Sequence, residues 1–279
     1  MPYIELNNVK IFYILHKNSK NYGEKYIILI HGTGGNHLSM LSIFNYIKKK
    51  FGGTYNILVP DLPFHFRSVP ENSSGFNSLV NSLIPVNDGI AFYAQTINTL
   101  ASKLFKKNRD VILIGHSMGA QISIKYASLF PESIGKIMLI AGCLNTYISD
   151  SFIKSLENSF DRTIMLFLKD ALGSRDKNIL NNAFADIKRT PPQTVINDFK
   201  YSKYYSGHYD RDIDKINRSK IFFNIIYSKK DLIITYKCIK ELYEKLKNSR
   251  VNEIPAQNHI DFLYENYLIE KEIDKFLLT

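Results

Sequence analysis

The stretch Asp110-Val111-Ile112-Leu113-Ile114-Gly115-His116-Ser117-Met118-Gly119 decides how the chain is read. Val111 to Ile114 is a short apolar run suited to a buried strand, and Ala120 to Leu129 beyond it is apolar and compatible with a helix. Ser117 therefore stands at a strand-to-helix corner, at the centre of G-x-S-x-G. At so sharp a turn the serine Cβ crowds the residues two before and two after it, which is where Gly115 and Gly119 stand. The hydroxyl is presented above the carboxyl end of the strand, and the free N–H groups of the following helix face any anion that forms there.

Similar apolar runs lie on either side. Residues 3 to 16 hold two strand-like runs around Asn7-Asn8 and predict an antiparallel hairpin. Tyr26 to Ile30, Asn56 to Val59, Lys136 to Ala141, Lys220 to Tyr227 and Arg250 to Ile254 read as further strands. Helices are expected over about 38–46, 89–107, 120–129, 234–246 and 263–277. This alternation predicts an α/β domain built on an open, mostly parallel sheet. From Gly142 to about Arg218 no buried strand is evident. Helical segments from Ser151 to Ser159, Thr163 to Leu172 and Pro191 to Tyr204 read as an insertion over the sheet. In the connection 69–88, Phe76, Leu79, Val80, Leu83 and Ile84 suit one apolar helical face that either covers the cleft or packs on the core.

In an open parallel sheet, ligand-facing residues gather beyond the carboxyl ends of the strands. His31-Gly32-Thr33-Gly34-Gly35 follows Ile30 there, and its glycines let the backbone turn closely with N–H groups aimed into a cleft. The stretch lacks both G-x-G-x-x-G and a Gly-Lys-Ser/Thr, which excludes a dinucleotide fingerprint and a Walker motif. The use that remains is an oxyanion hole, with the Thr33 N–H paired with that of Met118. Pro60-Asp61-Leu62-Pro63-Phe64-His65-Phe66-Arg67-Ser68 is a rigid loop at the same edge, in which Asp61 is expected to bond nearby backbone N–H groups. Asp231 follows the strand ending at Tyr227, and His259 follows the last strand. The order nucleophile, acid, histidine is the one expected of a triad on such a sheet. Asp150 is a weaker acid candidate, too far beyond the strand ending near Ala141. His116 reads as structural, with its side chain turned away from the serine, while His37 and His208 suit either pocket or surface.

His31-Gly32-Thr33-Gly34-Gly35, Pro60-Asp61-Leu62-Pro63-Phe64-His65, Gly115-His116-Ser117-Met118-Gly119, the Asp231 loop and Asn258-His259 together resemble the α/β-hydrolase superfamily, in its capped esterase and lipase-like branch. The resemblance spans essentially the whole chain. It implies a mostly parallel eight-stranded sheet flanked by helices, with a helical cap inserted after strand 6. The core then comprises 1–143 and 220–279, and the cap 144–219. It further implies a catalytic triad of Ser117, Asp231 and His259 and oxyanion-hole donors at Thr33 and Met118. Gly32, Gly34, Asp61, Gly115 and Gly119 shape the supporting loops, and no metal or organic cofactor is needed. Phe64 and Phe66 depart from the pattern, since glycines are common at both places.

The expected chemistry is acyl transfer through Ser117, general-base catalysis by His259, and an Asp231 that fixes the histidine tautomer. Phe152, Phe160, Phe167, Leu168, Phe184 and Phe199 in the insertion favour a hydrophobic acyl ester as the small-molecule substrate. Thioester, acylglycerol and carbon–carbon bond hydrolysis use the same machinery. A ligand-binding receptor with slow turnover is the alternative outside enzymology.

Composition narrows the remaining classes. The chain has 279 residues, 45% of them hydrophobic, which suffices for one large α/β unit. Its formal charge is +10, but the basic residues are scattered, as in Lys48-Lys49-Lys50 and Lys229-Lys230, so nucleic acid is not an expected partner. Cys143 and Cys238 make no disulfide framework, and Cys143 reads as a free thiol in the core. The start, Met-Pro-Tyr-Ile-Glu-Leu, does not read as a signal peptide, and no apolar run is long enough for a membrane helix. Those two features together predict a cytoplasmic protein without stable membrane insertion, and leave its oligomeric state open.

Overall fold

The computed structural model describes residues 2–6, 8–18, 25–70, 84–105, 110–173, 176–264 and 267–278. Its main strands are β1 (Tyr3–Leu6), β2 (Val9–His16), β3 (Lys25–Ile30), β4 (Asn56–Pro60), β5 (Asp110–His116), β6 (Ile134–Ile140), β7 (Phe222–Tyr227) and β8 (Ser249–Glu253). They lie in the order β1-β2-β4-β3-β5-β6-β7-β8, and a two-residue strand, Val69–Pro70, also pairs with β2. β2 is antiparallel to both β1 and β4, and every pairing from β4 through to β8 is parallel. The expected mostly parallel, eight-stranded sheet is therefore present, with β5 near its centre.

Alternation along the strands sorts the core onto two faces. In β3, Ile28 and Ile30 pack with helices α2 (Gly89–Leu104), α3 (Met118–Leu129) and α9 (Tyr236–Lys245). Ile27 and Leu29 point the other way, to α1 (Leu41–Phe51) and α11 (Tyr267–Leu278). These four side chains are wholly buried, and each contributes about 2 kcal/mol of transfer free energy. Covered on both faces, the central strands read in sequence as unbroken apolar runs.

After β6 the chain leaves the sheet and makes α4 (Asp150–Asn158), α5 (Phe160–Leu172), α6 (Lys177–Ile187), α7 (Pro192–Ser206) and α8 (Asp210–Ile216) before re-entering at β7. α4 to α7 enclose a separate apolar cluster around Leu156, Ile164, Leu180, Val195 and Phe199. The sequence reading found α4, α5 and α7 but not α6 or α8. α6 is signalled by Asp176, whose carboxylate caps it by accepting the N–H groups of Asn178 and Ile179. At the C-terminal end the described residues form α10 (Asp261–Tyr264) and α11, and 265 and 266 between them lie outside the described residues. Phe76, Leu79, Val80 and Leu83 lie outside the described residues, as does Asn7 of the hairpin turn, and Ile84 is buried in the core.

One expectation is overturned. Cys143 and Cys238 are not free thiols but form a disulfide, with Cα atoms 5.9 Å apart. The bond joins the segment leaving β6 to α9. A separation of 95 residues hides such a pairing from local sequence patterns.

Candidate active site

Ser117 sits between β5 and α3 with φ 54° and ψ −120°, a left-handed conformation that costs a non-glycine residue energy and is held by its surroundings. Its N–H donates to the Ile140 carbonyl at 3.0 Å, and its carbonyl accepts the Ala120 N–H at 2.9 Å. The glycines at the corner are required sterically. A Cβ on Gly115 would run into the Gly119 carbonyl, and one on Gly119 into the Ile30 carbonyl of the neighbouring strand.

His259 reaches Ser117 from the loop after β8. Its Nε2 lies 3.0 Å from Ser117 Oγ, and its Nδ1 lies 2.8 Å from Asp231 Oδ2. A carboxylate on Nδ1 fixes the proton there and leaves Nε2 to accept the serine proton. Asp231 is itself fixed, because Oδ1 accepts the N–H groups of Ile233 at 2.8 Å and Ile234 at 2.9 Å. Both His259 and Asp231 are buried. His116 is structural, as expected, but it does not turn away from the site. Its Nε2 donates to the His259 carbonyl at 3.1 Å, and the two rings lie 5.0 Å apart. Burial, and then the neighbouring His259, push the His116 pKa down to about 3, so its ring is neutral.

The glycine loop after β3 closes the other side. Gly32 packs so tightly on the elbow that an added Cβ would lie 2.9 Å from Ser117 Cβ. Thr33 follows it, and Gly34 takes φ 63°, where glycine carries no steric cost. Met118 is the first residue of α3, so its N–H has no carbonyl a turn earlier to bond. His31 braces the loop as a neutral ring, with Nδ1 donating to the Gly32 carbonyl at 2.9 Å and Nε2 accepting the Leu62 N–H at 3.1 Å. Asp61 does what its position suggested. Oδ1 accepts both the N–H and the Nδ1–H of His37, and Oδ2 accepts the Arg67 N–H. Phe64 and Phe66 keep a glycine-like backbone, with φ 68° and 40°, and Phe64 is buried in the main core.

A cavity of about 800 Å³ opens between sheet and cap and is bordered by Thr33, Ser117, Met118 and His259. Of the cap residues expected to line it, Phe152, Phe167, Leu168 and Phe199 do so. Phe160 and Phe184 instead pack against the cap's own apolar cluster. Asp150 is exposed and pairs with Lys203, away from the histidine. His208 is exposed and stacks on Tyr204, and His37 is buried against Asp61.

Sequence reasoning missed Asp198. This carboxylate on α7 is wholly buried and bonds Gly34, His65 and Tyr93. No helical periodicity marks it in the sequence, because every residue from Thr194 to Phe199 is buried. Among the described residues no cluster of His, Cys, Asp and Glu is arranged to hold a metal ion, and no helix is long and apolar enough to cross a membrane.

Residues 25–266 match the family described as the alpha/beta hydrolase fold. The chain is 23% identical to the uncharacterized hydrolase YugF of Bacillus subtilis over 98% of its own length and 96% of that protein's. The enol-lactonase of Burkholderia xenovorans superposes with a TM-score of 0.79 at 15% identity, covering 100% of both chains. A structure from a study of Nitrososphaera gargenis carboxylesterases gives 0.77 at 17% identity, covering 99% of this chain and 98% of that one.

Proposed function

The chain belongs to the α/β-hydrolase family, and on that premise we propose that it is a serine hydrolase cleaving carboxylic esters with an apolar portion. The observation that carries this reading is the relay from Asp231 Oδ2 through His259 to Ser117 Oγ, with steps of 2.8 and 3.0 Å, at the edge of a partly apolar cavity.

Ser117 Oγ attacks the acyl carbonyl as His259 Nε2 takes its proton, and Asp231 stabilises the resulting imidazolium. The tetrahedral oxyanion is held by the N–H groups of Thr33 and Met118, where losing one donor costs roughly 3 kcal/mol of transition-state stabilisation. The ester C–O bond then breaks, and His259 returns the proton to the leaving alkoxide. Water, deprotonated by His259, attacks the acyl-enzyme and releases the acid, regenerating Ser117. The cap, residues 144–219, supplies Phe152, Phe167 and Phe199 as the wall against which the apolar portion lies.

Intact mass after treatment with a fluorophosphonate probe tests the reading. Stoichiometric labelling of the wild type that is lost in Ser117→Ala and His259→Ala is the expected result, together with turnover of p-nitrophenyl esters. A folded protein that takes no label and turns over no ester of any chain length would overturn it.

A further inference from the structure

Asp198 has no part in the steps above, yet three groups of the core converge on it. Its Oδ2 accepts the Gly34 N–H at 2.9 Å and faces His65 Nε2 at 2.9 Å, and its Oδ1 accepts the Tyr93 hydroxyl at 2.8 Å. His65 and Asp198 are both wholly buried. The other ring nitrogen of His65 lies 3.0 Å from the Pro63 carbonyl, so both nitrogens face acceptors and the ring carries both protons. Burial opposes that charge, but the Asp198 carboxylate outweighs it and the His65 pKa is raised. A charge pair this deep persists only with its remaining hydrogen-bonding capacity filled, and Tyr93 and Gly34 supply the partners.

Gly34 is the member of this network that adjoins the reacting atoms. Its nitrogen belongs to the Thr33–Gly34 peptide, so fixing it restricts the orientation of Thr33 and with it the direction of the Thr33 N–H. The loop lies directly under the cap, where a Cβ on Gly34 would meet Ile187 and Val195.

Building on the hydrolase reading, we propose that Asp198 is a positioning residue for the oxyanion hole: its carboxylate, anchored by His65 and Tyr93, holds the Gly34 amide and aims the Thr33 N–H. One cap helix then sets the geometry that the transition state requires. Its loss falls on kcat while KM is largely kept, because the ground-state ester does not depend on an aligned oxyanion donor.

The test compares kcat and KM, on an ester the wild type hydrolyses, for Asp198→Ala, Asp198→Asn and Tyr93→Phe, with folding followed by circular dichroism. Asp198→Ala is expected to lose on the order of 100-fold in kcat with KM changed by less than about threefold. Asp198→Asn recovers most of that loss, since its carboxamide oxygen still accepts the Gly34 N–H. Tyr93→Phe removes one of the carboxylate's two anchors but leaves His65 and the Gly34 bond in place, so it is expected to lose far less, on the order of threefold to tenfold in kcat. A kcat for Asp198→Ala within about threefold of wild type, or an equal loss in Tyr93→Phe, would overturn the proposal. Should Asp198→Ala not fold, the double variant His65→Leu with Asp198→Leu removes both charges together and carries the same comparison. Absence of wild-type turnover is a different failure: it strikes the hydrolase reading itself and takes this inference with it.

Discussion

The carbonyl of Ala171, in the last turn of α5, accepts the backbone N–H of His259 at 3.0 Å. Carbonyls at a helix C-terminus lack partners within the helix, and here the histidine loop supplies one. Gly173 ends the same helix in the left-handed region, with φ 56°. A Cβ there would stand 3.6 Å from Asn258 Cβ, an ordinary contact, so substitution meets backbone strain rather than a clash. Gly173→Ala is expected to lower the unfolding free energy by about 1 kcal/mol, and Gly173→Asn by less. Urea unfolding of the two variants checks this, and a more stable Gly173→Ala would refute it.

Asp231→Asn is predicted to leave the fold intact and the chemistry disabled. The carboxamide oxygen can keep the N–H groups of Ile233 and Ile234, which turns its NH₂ toward His259 Nδ1. Nδ1 must then accept, the ring proton moves to Nε2, and the base that faces Ser117 is lost. By analogy with the same change in other serine triads, kcat should fall on the order of 10⁴-fold. Thermal unfolding alongside ester kinetics would separate this from simple destabilisation.

Acid should destabilise the fold through two buried rings. Burial, and then the neighbouring His65, lower the His31 pKa to about 4, and burial with His259 lowers that of His116 to about 3, from an ordinary 6.5. Between these values and 6.5 the unfolded chain binds protons that the folded protein does not, so stability rises with pH in that window. The contribution is complete above 6.5 and is lost as the pH falls toward 3, about 3 kcal/mol for His31 and about 5 kcal/mol for His116. His65, whose pKa is raised, acts in the opposite sense, contributing below 6.5 and losing its effect as the pH rises through its folded value. Urea titrations from pH 7 downward should show a slope that flattens in His116→Gln.

Reduction of the Cys143–Cys238 bond should lower stability by roughly 4 kcal/mol, from the loop-closure entropy of the 95 residues it spans. Thermal unfolding with and without a phosphine reductant checks this. A transition temperature indifferent to reductant would count against it. Disulfides persist in oxidising surroundings, which places a condition on the compartment that Cys143, read as a free thiol, did not impose.

Much of the sheet and three of its strand-end residues were legible because their causes are local. Buried parallel strands must be apolar throughout, the close backbone passage at the elbow requires Gly115 and Gly119, Asp231 follows an apolar run, and His259 follows the short last strand. The hidden features depend on distance instead. Asp198 meets Tyr93, His65 and Gly34 across 105, 133 and 164 residues, and nothing beside it in the sequence names those partners. The inward side of His116 was missed for a related reason: the His259 carbonyl that receives its proton lies 143 residues away. Phe64 and Phe66 could be recognised as departures from a glycine pattern, but not as rings retaining that pattern's backbone.

The long reach of these contacts also orders events during synthesis. Ser117 meets His259 across 142 residues, and Gly34 meets Asp198 across 164. Closing such loops is slow and comes after local structure has formed. As the chain emerges from the ribosome, the serine elbow can be complete while its histidine is still untranslated. A fragment ending before His259 is expected to bury much of the sheet and hold an inert serine, so on the proposed mechanism activity waits for the loop that carries His259 as much as for the elbow.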